Sequence, residues 1–347
     1  MPANLSPDYK AAEVAFRRAS DPKERLERLR EMLRTIPKHK GTEHLQADIK
    51  TRIKQLTEEL AAGRKGGSRS GPSHVVRPEG AAQIALLGPP NSGKSTLHDR
   101  LTRSHAEAGP YPFTTQFPQP GMIPYEDVNL QLVDLPPITD QYTVPWIVNA
   151  LQPADAALLV VDVGAPDCMD QLGGLLSALA SRKITFVPEW KRAHRTASEA
   201  PRDTEEISDP FAIRLPAALV AARADENPDA DDELEILQEL LEIGFPSLAV
   251  SARTGDGLDA LAKWLFEALE VVRVYTKAPG RPPDFGQPFT VRRGDTVQDV
   301  ARMVHQEIAD SLKFGRLWRN AASSGRQVGR DYRVADRDVL ELVTGRE

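Results

Sequence analysis

Residues 86–101 read LLGPPNSGKSTLHDRL, and inside them Gly88, Pro89, Pro90, Asn91, Ser92, Gly93, Lys94 and Ser95 keep the spacing G-x-x-x-x-G-K-[ST]. Glycines let a backbone fold closely around phosphate oxygens. Successive amide N–H groups and the positive end of a following helix attract the anion, and a lysine reaches the β- and γ-phosphates. Lys94 would take that part here, and Ser95 would ligate Mg²⁺. Because main-chain amides do most of the binding, the loop implies a triphosphate and says nothing of its base. Farther on, Asp134 ends the apolar run NLQLVDL, a position from which a carboxylate holds Mg²⁺, and Thr115 in YPFTTQFPQPG could reach the same ion from a loop.

These residues do their chemistry only if a strand, a loop and a helix follow one another. QIALL precedes the loop and STLHDRL continues it as a helix. The runs QIALLG, NLQLVDL, AALLVVDV, AALVAARAD and PSLAVSA read as strands, and the more continuous ones suit a parallel sheet covered on both faces. The expectation is a doubly wound α/β P-loop domain over residues 81–271, closed by a helix through LDALAKWLFEALEVV. It carries an insertion at about 183–213, whose start, KITFV, is a candidate strand and whose polar middle, residues 191–210, reads as a loop.

On the amino-terminal side, residues 8–62 read as helices. DPKERLERLREMLRTI has Asp21 as a cap and Pro22 at the first helical position, and TEHLQADIKTRIKQLTEELAAG stops at Gly63. Leu26, Leu29 and Leu33 share one face, and Leu45, Ile49, Ile53, Leu56 and Leu60 another, so the pair is predicted to form a helical hairpin over residues 1–63. A flexible linker follows over 64–80, with no apolar anchor in RKGGSRSGPS. Residues 272–347 read as a small α+β grasp: the strand QPFTVRRG, one helix TVQDVARMVHQEIADSLKF, and a last strand DRDVLELVT.

A chain of 347 residues with formal charge -6 belongs to the globular class, and its overall charge gives no whole-chain argument for nucleic-acid binding. The charge is uneven. Residues 1–80 hold 17 Lys/Arg against 11 Asp/Glu and residues 225–270 hold 2 against 13, so an anionic partner should meet the amino-terminal end. The single cysteine, Cys168, leaves no internal disulfide and suits a reducing compartment. No apolar run approaches the roughly 18 residues of a membrane span, and the expected location is the cytoplasm.

In order, GPPNSGKSTL, YPFTT, VDLP, AARAD and SARTGDGLDAL resemble the five G motifs of translation-factor-class GTPases of the Obg superfamily. The helical segment IPKHKGTEHLQADIKTRIKQL and the tail VRVYTKAPGRPPDFGQPFTVRRGDTVQDVARMVHQEIADSLKFGRLW narrow the resemblance to the developmentally regulated GTP-binding (DRG) branch, whose tail is a ubiquitin-like TGS domain. It covers nearly the whole chain and is weakest from 183 to 213.

The resemblance implies that Gly88, Pro89, Asn91, Ser92, Gly93, Lys94, Ser95 and Thr96 line the phosphates of GTP or GDP. Ser95, Thr115 and Asp134 would hold Mg²⁺, Lys94 and Thr115 would serve catalysis, and Asn91 is a candidate ligand for K⁺. Asp225 would accept from the guanine ring N–H and amino group, Arg223 would lie against the base, and Ser251 with Ala252 would meet its far edge. The ribosome or its RNA is the implied partner, through the helical hairpin and the TGS domain, where Arg292, Arg293, Arg316, Arg319, Arg326 and Arg330 with Trp318 and Tyr332 are candidate contacts.

Two departures bear on hydrolysis. The family's Asp-x-x-Gly becomes Asp134-Leu135-Pro136-Pro137, and proline has no N–H for the γ-phosphate. Asn-Lys-x-Asp becomes Ala222-Arg223-Ala224-Asp225. The expectation is therefore guanine-nucleotide binding with slow or partner-dependent GTP hydrolysis. The alternative is a degenerate G domain that holds nucleotide as a scaffold.

Overall fold

The computed structural model describes residues 6–19, 22–38, 42–65, 74–103, 117–190, 211–318 and 325–345. They divide into two compact units, residues 1–77 with 193–213 and residues 78–192 with 214–347. Among the described residues no helix is long and apolar enough to cross a membrane.

Among the described residues the first unit holds three helices, α1 (Pro7–Arg18), α2 (Pro22–Thr35) and α3 (Glu43–Lys65), where the sequence reading has one pair. Ser6 caps α1 by accepting from the Tyr9 amide at 3.2 Å, with Pro7 at the position where a missing N–H costs nothing. Tyr9, Ala12, Phe16, Leu29, Met32, Ile36, Ile49 and Phe211 make the core. The ring of Phe16 meets Phe211 edge-on at 5.9 Å. Helix α3 runs past Gly63, the expected stop, to Lys65. The cap candidate Asp21, residues 66–73 of the expected linker and the loop 191–210 lie outside the described residues.

The second unit is built on a seven-stranded sheet. Its strands are β1 (Gln83–Leu87), β2 (Gln119–Tyr125), β3 (Val128–Asp134), β4 (Ala156–Val161), β5 (Ile184–Val187), β6 (Ile213–Ala221) and β7 (Ser247–Ala249), in the order β2-β3-β1-β4-β6-β5, with β7 also on β6. The pairs β1–β3, β1–β4, β4–β6 and β6–β7 are parallel, and β2 is antiparallel to β3. β1 and β4 are buried along their whole length, as expected of central parallel strands. The same unit carries α4 (Lys94–Thr102), α5 (Ile147–Leu151), α6 (Cys168–Ala180), α7 (Ala230–Leu240) and α8 (Leu258–Ala268).

After α8 comes a second sheet of β8 (Val271–Thr276), β9 (Asp284–Arg292), β10 (Leu312–Trp318), β11 (Arg326–Val328) and β12 (Asp338–Thr344), in the order β11-β10-β12-β8-β9, with α9 (Val297–Val304) and α10 (Gln306–Ser311). Val271 and Val272, assigned from the sequence to the preceding helix, begin β8. The expected single helix is two, because His305 is extended and caps α10, and its last residues, Leu312 to Phe314, belong to β10. Thr296 and Asp299 close a capping box on α9.

The two sheets meet through a charged node. Arg273 of β8, 4 % exposed, bonds Glu126 and Asp127 at the tip of the β2–β3 hairpin and, through its Nη2, Asp336 at 2.6 Å. The Tyr275 hydroxyl donates to Asp127, and Arg337 reaches Glu126 at 2.8 Å. The Asp336 partnership drives the Arg273 pKa above its usual range.

Candidate functional site

The parallel register brings the candidate residues to one edge. Leu86 pairs with Asp134, Val161 with Ala221 and Ala221 with Ala249, so the segments after β1, β3, β4, β6 and β7 all leave the sheet at its carboxyl side, where open α/β sheets hold ligands. Gly88 turns the chain tightly against β4: a Cβ there would stand 2.6 Å from the Val160 carbonyl oxygen. Gly93 caps α4 with φ 85°, a backbone region side chains avoid, and Asn91 has φ 61°. The first amides of α4 thus open beside the loop. The Ser92 hydroxyl, on a residue 2 % exposed, is buried with no hydrogen-bond partner among the described residues. A buried hydroxyl without a partner inside a cradle of amides suits an incoming oxyanion.

Lys94 and Asp134, 6 % and 2 % exposed, face each other with Nζ 3.1 Å from Oδ1, and the Ser95 hydroxyl donates to Asp134 Oδ2 at 2.7 Å. A hydroxyl and a carboxylate oxygen this close are oxygen donors of the kind a hard cation accepts when phosphate and water supply its other ligands. Thr96, at the start of α4, is exposed. Thr115 lies outside the described residues, so the third expected Mg²⁺ ligand has no place here.

The residues expected to meet a base cluster around Asp225. Ser251, fully buried, donates its hydroxyl to Asp225 Oδ1 and accepts from the Thr254 amide at 3.1 Å. Arg253 gives its Nε to Asp225 Oδ2 at 2.6 Å and adds its Nη2. The Ser251 bond above all, and then Arg253, hold the Asp225 carboxyl below its ordinary pKa. Ala252 follows Ser251 in the same turn. Arg223, with φ 62°, bridges Asp162 at 2.7 Å and the Asn91 carbonyl at 3.3 Å, tying the segment after β6 to the phosphate loop. Ala222 sits against that loop too: a Cβ on Gly93 would meet its methyl at 2.9 Å.

Sequence reading missed three of these roles. Asp162 and Arg253 are common residue types in loops, and only the fold shows what they hold. The third is main-chain: the Ile138 amide donates to the Gly88 carbonyl at 3.2 Å and the Leu135 amide to Leu86 at 3.2 Å.

Much of the basic tail set proves to be engaged internally. Arg292 pairs with Asp155 at 3.1 Å, Arg293 with Glu270 at 3.6 Å and Arg316 with Glu341 at 3.3 Å. Trp318 lies under Lys277 at 4.5 Å and Tyr332 packs on the second sheet's core. Arg326 and Arg330 are exposed, and Arg319 is outside the described residues.

Residues 83–188 match the model of the 50S ribosome-binding GTPase family, and residues 272–344 match the TGS domain. A GTP-binding protein of Methanocaldococcus jannaschii is 28 % identical, over 93 % of this chain and 93 % of that one. Developmentally-regulated G-protein 1 of Arabidopsis thaliana is 27 % identical, over 91 % and 90 %. Along nine-tenths of its length the chain is similar to DRG proteins. A solved structure, a GTP-binding protein from Pyrococcus horikoshii OT3, is 16 % identical over 76 % of this chain and 99 % of that one, with a TM-score of 0.48. Read as a DRG protein, the chain pairs a P-loop G domain with a TGS domain, and its departures from the family pattern lie in the segments after β3 and β6.

Proposed function

We propose that this DRG-like protein binds GTP and GDP at the β1–α4 loop with Asp225 reading the guanine, and that it hydrolyses GTP slowly or only with a partner. One observation supports this most: residues 135–138 have no main-chain donor to spare. Pro136 and Pro137 have no N–H, and the amides of Leu135 and Ile138 are given to Leu86 and Gly88. A terminal phosphate therefore finds its donors in the loop, in Lys94 and in α4. The segment after β3, which should sense that phosphate, has none for it. Binding survives such a loss, while transition-state stabilisation and the contrast between triphosphate and diphosphate suffer.

Ser95 and Asp134 would hold Mg²⁺, with Thr115 as the third protein ligand, and the ion would offset phosphate charge. Lys94 would turn from Asp134 toward the β- and γ-phosphates as the cation takes its place. Asn91 is the proposed K⁺ ligand. The matched family's description supports a ribosomal partner, for which Arg326 and Arg330 are the exposed TGS candidates, and a lone cysteine supports a cytoplasmic, reducing setting.

The same missing donors favour a second reading, a scaffold that holds nucleotide without turning it over. Single-turnover hydrolysis of GTP by the protein and by Lys94→Ala, with and without ribosomes, separates the two. Phosphate release that depends on Lys94 supports the enzyme, and its absence under every condition supports the scaffold. Failure to bind either guanosine nucleotide with Mg²⁺ would overturn both.

A further inference from the structure

The carboxylate proposed to read guanine is already occupied by the protein's own side chain. A carboxylate offers about four lone-pair sites, two on each oxygen. On Asp225, the Ser251 hydroxyl takes one on Oδ1 and Nε of Arg253 takes one on Oδ2, while Nη2 of Arg253 stands against the same Oδ2 as an ion pair. The guanine edge needs one acceptor on each oxygen, for its ring N–H and its amino group. Arg253 stands in the way at Oδ2.

The two partners of Asp225 differ in how firmly they are held. Ser251 is fully buried, accepts from the Thr254 amide, and sits in a turn closed by Ser251 N–H to the Asp256 carbonyl and Gly255 N–H to the Ser251 carbonyl, both at 2.9 Å. The Arg253 side chain is 72 % exposed. It can leave without disturbing the core. Its planar pair of N–H donors is of the same kind as the hydrogen-bonding edge of guanine, although both meet the one oxygen Oδ2 rather than one oxygen each.

We propose that Arg253 is a resident stand-in for guanine, which covers Asp225 in the nucleotide-free protein and must swing into solvent before a guanosine nucleotide is read. This rests on the nucleotide-site reading above and adds an internal competitor to it. The competitor acts at the base end, 28 residues along the chain from its partner and away from the phosphates, so it taxes GTP and GDP by one common factor. It also keeps the carboxylate satisfied when the site holds no base. ATP, which has no donor pair for Asp225, is outside the competition.

The test is stopped-flow and equilibrium titration of fluorescent GDP, a non-hydrolysable GTP analogue and ATP, with Mg²⁺, into the full chain and into Arg253→Ala and Arg253→Gln. An exposed ion pair opposes binding weakly, so both variants should bind GDP and the GTP analogue about two- to fivefold tighter, by the same factor for each. Association should be faster and ATP binding unchanged. Weaker or unchanged guanine binding in both variants, while the parent protein binds, would overturn the stand-in and make Arg253 a plain base contact or a bystander. If the parent binds no guanosine nucleotide at all, the nucleotide reading falls and this inference falls with it. Asp225→Ala separates these cases: it should lose guanine preference and become insensitive to a second change at Arg253.

Discussion

Restoring a donor at residue 137 should restore sensitivity to the third phosphate. Pro137→Gly and Pro137→Ala each place an N–H three residues after Asp134, whose carboxylate contacts both Lys94 and Ser95. A hydrogen bond to a charged acceptor contributes about 1.5 to 3 kcal/mol. If it is made only to the γ-phosphate, the preference for a GTP analogue over GDP rises by roughly 10- to 150-fold. The substitution also has a cost. Pro137 is buried, and removing its three ring methylenes at about 0.8 kcal/mol each, with the added freedom of the unfolded chain, lowers folding stability by about 2 to 4 kcal/mol, less for alanine than for glycine. Calorimetric titration at low temperature, on variants first shown to melt cooperatively, gives the ratio of the two dissociation constants. Folded variants of both kinds with the parent's ratio would refute the argument, since the missing amide would then not be what blunts discrimination.

Arg273→Met strands Glu126, Asp127 and Asp336 together, and should lower stability by about 2 to 4 kcal/mol in denaturant unfolding, less than a fully buried pair because these acids are part-exposed. Glu126, Asp127 and Asp336 have carboxyl pKa values held below the ordinary 4.5, 3.8 and 3.8: by Arg273 at Glu126, against burial by Tyr275 and then Arg273 at Asp127, and against burial by Arg273 at Asp336. Their contribution is complete above about pH 4.5 and is lost as pH falls, because the unfolded chain takes up protons first; Arg273→Met should flatten that acid slope. The Cys168 thiol, raised to about 11 by burial and then by Asp162, Asp167 and Glu233, should resist iodoacetamide at pH 8 in the native protein and react on unfolding. Rapid native labelling would contradict its burial.

The phosphate loop was legible because its signal is local: spacing, a preceding apolar strand and a following helix lie within about twenty residues. Central strands were legible for the same reason. β2 was not, since Pro120, Gly121 and Pro124 read as loop, and they are tolerated because β2 is an edge strand paired on one side only. Nor does helical periodicity show that His305 breaks a helix or that Val271 and Val272 start a strand, because apolar residues serve both periods over so short a run. The site's ion pairs are invisible for a different reason. Arg223 meets Asp162 across 61 residues and Arg273 meets Glu126 across 147, separations at which residue type alone carries no pairing information.

The β2–β3 hairpin joins two distant tasks. Its root ends in Asp134, against Lys94 and Ser95, and its tip is fastened by Arg273, Tyr275 and Arg337 to the carboxy-terminal sheet. Seven residue pairs hold the two strands in a single register, so the hairpin cannot creep lengthwise by parts. A sliding of β3 that carried Asp134 away from the phosphate loop would have to tear the tip contacts or haul the whole second sheet along with it, which makes the TGS domain an anchor on the strand that carries Asp134.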